Sequence, residues 1–118
     1  DIAEIVRGCL NYLDGKFCRM ISYTIMPTHV HTVFEPFEKE SGSYYAVSKI
    51  MHSWKRVSAI RANERLNRTG LFWHHENYDH YARDSAEVER IVNYVKNNPV
   101  KAGLVKNWQD WQWTYVAK

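Results

Sequence analysis

The sequence predicts an α+β fold in which an antiparallel sheet is covered by helices. Two observations carry that prediction. Apolar residues recur at helical spacing in three stretches and at a period of two in others, and the order helix, two strands, helix, short strand, helix leaves the sheet neighbours joined by short connections. At 118 residues the chain is long enough for one core, so residues 1–118 are expected to form a single domain holding the whole functional site.

Each element has its own signal. Ile2, Ile5, Val6, Cys9, Leu10 and Leu13 repeat at helical spacing, and Asp14-Gly15 supplies a stop. Residues 17–26 alternate, with Phe17, Ile21, Tyr23 and Ile25 on one face, and read as a strand. Met26-Pro27-Thr28 interrupts it, and β character resumes over residues 29–34. The acidic, Gly- and Ser-containing residues 35–43 read as a loop. Residues 45–66 carry a long helical pattern through Val47, Ile50, Trp54, Val57 and Ile60. Gly70 breaks it, and Leu71-Phe72-Trp73 opens a short aromatic strand or extended segment running toward Tyr78-Asp79-His80-Tyr81. Asp84 with Glu87 three residues later forms a capping box for a last helix whose core face is Val88, Ile91, Val92 and Val95, and Pro99 is expected to end it. The tail, with Trp108, Trp111, Trp113 and Tyr115, is too aromatic to be a solvated end.

Composition removes several classes of function. A hydrophobic fraction of 45% and a charged fraction of 25% suit an ordinary globular protein. No apolar run approaches the roughly 20 residues needed to span a bilayer, so no membrane partner is expected. Cys9 and Cys18 form neither a Cys-x-x-Cys pair nor a dense framework, which points to reduced thiols in a cytoplasm. The net charge of +3 is modest. Its distribution is more telling: Lys49, Lys55, Arg56, Arg61, Arg65 and Arg68 fall in one stretch where Glu64 is the only acid. That stretch reads equally as a solvated helix face and as a phosphate-binding surface.

Two groups of residues can carry chemistry. His29 and His31, separated by Val30, project to one side of a strand, where two imidazoles can converge on a metal ion. The same spacing also describes two surface histidines. On the last helix Tyr94 lies at the edge of the apolar stripe, and Asn98 follows at i+4 on the same side. An amphipathic tyrosine with a wet hydroxyl, and an asparagine near a helix end, are the structural readings of that pair. Trp54 and Trp73 can stack bases, but helix and strand tryptophans ordinarily pack inward.

The blocks Met26-Pro27-Thr28-His29-Val30-His31, Trp54-Lys55-Arg56, Glu76-Asn77-Tyr78-Asp79-His80 with Arg83-Asp84, and Tyr94-Val95-Lys96-Asn97-Asn98-Pro99-Val100-Lys101-Ala102-Gly103-Leu104-Val105 follow in the order of a known family. The succession, from about residue 17 to 115, resembles the single-tyrosine HUH transposases. Within them it is most similar to the REP-associated tyrosine transposases, which act on palindromic hairpin repeats. The resemblance implies a ferredoxin-like antiparallel sheet, with His29 and His31 on a central strand facing the helix that bears the nucleophile. It implies Tyr94 as nucleophile, His29, His31 and Asn98 as ligands of a divalent ion, and a single-stranded, hairpin-forming DNA as substrate, cut and rejoined through a tyrosine–DNA bond. Lys49, Lys55, Arg56, Arg61 and Arg65 become candidate DNA contacts, and the protein a monomer or homodimer. A mixed nitrogen and oxygen donor set with open positions suits magnesium or manganese.

Two departures from the family stand out. Similar proteins usually have a strand before the first helix, which predicts an unpaired sheet edge here. Thr28 also stands where asparagine is usual, and is expected to alter the turn and not the chemistry. Two other readings remain open at this level: a nucleic-acid-binding module without turnover, and a zinc hydrolase using His29, His31 and one more ligand. The second has no use for Tyr94 and no evident glutamate base beside the histidines.

Overall fold

A computed structural model describes residues 2–40, 42–73 and 84–117. The chain divides into two compact units: Asp1–Arg19 with Pro36–Tyr78, and Met20–Glu35 with Asp79–Lys118. Both units combine stretches distant in sequence. The class is α+β, with helices α1 (Ile2–Leu13), α2 (Val47–Leu66) and α3 (Ser85–Lys101) and an antiparallel sheet of three strands.

In the first unit α1 packs on α2; the α1 stripe is the one its spacing predicts, whereas on α2 only Ile50 and Trp54 of the expected stripe are buried, Ile60 is exposed, and Ser58 and Ala62 take the inner positions. Val6, Cys9, Leu10 and Leu13 are buried on α1; Ile50, Trp54, Ser58 and Ala62, repeating every fourth residue, are buried on α2. Trp54 meets Trp73 edge to face at 5.2 Å, and the Trp73 indole donates to the buried Ser58 hydroxyl at 3.0 Å. The two tryptophans thus belong to the packing of this unit. Asn67, with φ 53°, closes α2, its N–H donating to the Glu64 carbonyl and that of Arg68 to the Asn63 carbonyl.

The expected loop at residues 35–43 is instead a small hairpin of β3 (Glu38–Glu40) and β4 (Ser43–Tyr44). Glu38, Lys39 and Glu40 have poor strand propensity, so composition concealed it. Turn chemistry makes it: Gly42 takes φ 77° and donates its N–H to the Glu38 carboxylate. Leu71, Phe72 and Trp73 form no strand, and the Tyr78 to Tyr81 continuation lies outside the described residues.

The second unit holds most of β1 (Cys18–Ile25), with β2 (Val30–Pro36) and β5 (Thr114–Val116) on either side in the order β2-β1-β5. The tail, expected only not to be a solvated end, returns as a strand of the sheet, placing Ser22, Tyr23 and Thr24 opposite Val116, Tyr115 and Thr114. The Tyr23 and Tyr115 rings stack at 5.3 Å, and the Thr24 and Thr114 hydroxyls share a hydrogen bond of 2.8 Å. Within the described residues β1 is the central strand and β2 an edge, while His29 precedes β2 by one residue. The resemblance puts the histidine strand at the centre of the sheet, a place that β2 takes with a strand on its outer side. Among the described residues β2 pairs with β1 alone.

Helix α3 begins as predicted, the Asp84 carboxylate accepting the Glu87 N–H at 2.8 Å. It does not stop at Pro99. The proline ring is buried one turn beyond Val95, on the same stripe, and the helix continues to Lys101. The stop is encoded further on. Gly103, with φ 78°, donates to the Val100 carbonyl, and Leu104 donates to that of Pro99, the paired bonds of a Schellman closure. Packing and this closure together outweigh the proline's lost donor, which falls in the last turn.

Replacing Gly103 by alanine introduces no clash but forces a side chain into the left-handed region. Gly103→Ala should lower stability by about 1 kcal/mol, measured as a lower urea midpoint with unchanged slope.

Candidate active site

The site is built on the turn between β1 and β2 and on the outward side of α3. The turn closes with the Met26 N–H on the His29 carbonyl at 2.8 Å, which fixes where the chain re-enters the sheet. His29 is exposed and His31 half-buried. Their rings lie edge to face with centroids 4.8 Å apart, as neighbours on one side of the strand must. The Thr28 hydroxyl lies 3.0 Å from His29 Nδ1. With that nitrogen engaged, Nε2 is the His29 atom left for a ligand. Thr28, expected to alter the turn, also meets a candidate ligand. Sequence reading missed this, although a hydroxyl beside a candidate ligand was the available signal.

From α3, Tyr94 approaches the same pair. Its ring centroid is 5.9 Å from that of His31, at 81°, and the residue is 56% exposed. A tyrosine spent on core packing would be buried, as Tyr23 is at 2% exposure. Asn98 is half-buried one turn further on. The Asn97 carboxamide is consumed by its own helix, donating to the Asn93 carbonyl at 2.9 Å, whereas that of Asn98 makes no hydrogen bond among the described residues. His29, His31 and Tyr94 are thus brought together, with Asn98 on the Tyr94 side of the helix.

Electrostatics favours neutral imidazole at this point. Burial, with a smaller contribution from His29, pushes the His31 pKa below its ordinary value of 6.5. Neutral imidazole is the ligating form. Among the described residues no group of three His, Cys, Asp or Glu side chains forms. His74, His75, His80, Tyr78 and Tyr81 lie outside the described residues.

The basic residues of α2 fall in the other unit and divide among themselves. Lys49 and Arg56 share the exposed outer side of the helix with Ser53 and Ile60. Lys55 is half-buried with its ammonium 5.8 Å from the Trp54 ring centroid. Arg61 and Arg65 are exposed toward the helix end.

A family model for IS200-like transposases matches residues 2–98. The chain belongs to that family. Two proteins of Haemophilus influenzae are similar to this IS200-like transposase chain. One is named "Putative REP-associated tyrosine transposase", 21% identical over 80% of the chain and 56% of its own length. The other, an uncharacterized protein, is 23% identical over 85% of the chain and 66% of its own length. The chain therefore spans less than two thirds of either relative. No solved structure matches it, and no helix among the described residues is long and apolar enough to cross a membrane.

Because His31 holds its proton less tightly when folded, the unfolded chain binds more protons below the ordinary pKa. Stability linked to this residue is full above pH 6.5 and is lost as pH falls through that value toward the lower folded pKa. NMR titration of the metal-free protein should place the His31 ring midpoint below 6.5. A midpoint above it would contradict the burial described here.

Proposed function

We propose that this IS200-like transposase chain is a metal-dependent single-stranded DNA endonuclease and strand transferase that works through a 5′-phosphotyrosine intermediate on hairpin-flanked DNA. The observation carrying the proposal is the meeting of an exposed tyrosine with a histidine pair, Tyr94 to His31 at 5.9 Å and His31 to His29 at 4.8 Å. Membership of the family supports the same reading.

On this reading His29, His31 and Asn98 hold a magnesium or manganese ion, which when bound would neutralise phosphate charge and favour departure of the leaving oxygen. Two imidazoles and an amide leave positions open for phosphate oxygens. The Tyr94 oxygen attacks the phosphorus, forming an O–P bond as the bond to the 3′ oxygen breaks. The phenolic proton passes to water, and the departing oxygen takes a proton from water to become a 3′-OH. The phosphotyrosine ester conserves the energy of the broken bond. A 3′-OH from the same or another strand then reverses the step, so rejoining needs no nucleotide cofactor. Exposure suits Tyr94 to this work, because the scissile phosphate arrives from solvent. The cations of α2, with Lys49 and Arg56 on the outer side, supply a backbone-binding surface.

Tyr94→Phe should abolish the covalent protein–DNA band on denaturing gels while leaving the thermal midpoint and DNA affinity nearly unchanged. His29→Ala and His31→Ala should also abolish cleavage, with a trace returning at raised manganese. Adduct persisting in Tyr94→Phe would refute the assignment of the nucleophile. Separately, Lys49→Met with Arg56→Met should reduce the log–log salt slope of single-strand binding by up to about 1.4, near 0.7 per lost phosphate contact; an unchanged slope removes α2 from the interface.

A further inference from the structure

The Schellman closure at Gly103 keeps Lys101 helical, and this sets a cation beside the proposed nucleophile. Tyr94, Asn98 and Lys101 stand at i, i+4 and i+7, within roughly 60° of one another around the axis of an α-helix. The Lys101 ammonium lies 6.0 Å from the Tyr94 ring centroid. Both residues are exposed.

The other cations of α3 are engaged elsewhere. Arg90 pairs with Glu87 at 3.8 Å, and the Lys96 ammonium sits 4.8 Å over the Trp108 ring. Lys101 forms no ion pair among the described residues, and its separation from the Tyr94 ring is at the outer limit of a cation–π contact. Its charge is therefore available to a ligand on the side of the helix that Tyr94 occupies.

We propose that Lys101 binds the DNA phosphate presented to Tyr94, holding one of its non-bridging oxygens while the phenol attacks. This rests on the reading of Tyr94 as nucleophile. A single cation there offsets charge that grows on the phosphate oxygens as the new bond forms. A lysine suits the task because its ammonium is a point charge on a flexible stem and can follow the phosphate through the displacement.

The test uses the full chain, manganese and a pool of end-labelled hairpin oligonucleotides with randomised single-stranded flanks. Wild type, Lys101→Met, Lys101→Arg and, as a control past the helix end, Lys106→Met are compared in two measurements: the salt dependence of binding by anisotropy, and the single-turnover rate of adduct formation at saturating DNA. Lys101→Met should lower the log–log salt slope by about 0.7 and slow adduct formation roughly 10- to 100-fold. Lys101→Arg should keep the slope and most of the rate, and Lys106→Met should match wild type. An unchanged slope in Lys101→Met overturns the proposal, and so does a lowered slope with an unchanged saturating rate, which would put Lys101 on a different phosphate. If wild type forms no adduct but Lys101→Met still lowers the slope, the nucleophile assignment fails while the phosphate contact stands.

Discussion

Burial of β1 on both faces is the constraint from which the second unit follows. Met20, Ser22, Tyr23, Thr24 and Ile25 are all buried, so the strand's backbone polar groups have no water to turn to and must be paired along both edges. β2 supplies one edge and β5 the other. The side-chain polar groups obey the same demand: the Ser22 hydroxyl donates to the Tyr115 carbonyl at 2.9 Å, and Thr24 pairs with Thr114. Even the end of the strand is covered, the Trp111 indole donating to the Ile25 carbonyl at 3.0 Å. A tail that reads as four aromatics in search of a core is thus a strand with a polar seam.

The histidines inherit their position from this arrangement. β1 ends at Ile25, and the bond from Met26 to His29 returns the chain immediately, so His29 and His31 flank the start of β2 with no slack between them and the buried strand. α3 is tied to the same unit by its packing against β5 and the turn at Trp108–Asp110. Sheet and helix therefore reach the site from opposite ends of the sequence. The ring contact between His31 and Tyr94 joins residues more than sixty positions apart, a separation that local propensity cannot encode.

Much of this was legible in residue spacing. The stripes of α1 and α2, the alternation of β1 and the Asp84 cap are local signals, and each produced the element its physics requires. Legibility failed where two local rules competed. Pro99 read as a stop because the residue before proline avoids the α region, yet its ring continues the buried stripe from Val95 and Gly103 closes the helix instead. The hairpin at Glu38 to Tyr44 failed for the opposite reason: its strands carry no β-branched residue and a single aromatic, Tyr44, and one glycine and one carboxylate make the turn. In the site, the period of two brought the histidines together, but strand order, and hence the place of β2 at an edge of the described sheet, is a tertiary property. Lys101 was hidden by the misplaced helix end, since a chain leaving the helix at Pro99 would carry it off the Tyr94 side.

The chemical character of the donors bears on how the proposed site would divide its labour. Two imidazoles, one of them held toward its neutral form by burial, and one carboxamide bring no negative charge. A carboxylate-rich site binds a divalent ion more tightly by cancelling its charge, and leaves less of that charge for the substrate. Neutral donors reverse the balance: the ion is held less strongly, and its field falls on whatever phosphate completes the coordination. The same reasoning bears on Lys101, which forms no ion pair among the described residues and lies 6.0 Å from the Tyr94 ring centroid. The anions of α3 lie in its first turns, with Glu87 taken up by Arg90 and capped into the helix start, so the Tyr94 side toward the helix end is left to an amide and an ammonium. On the proposed reading, the phosphodiester itself is the counter-charge the site is built to receive, and DNA and metal should bind more tightly together than either does alone.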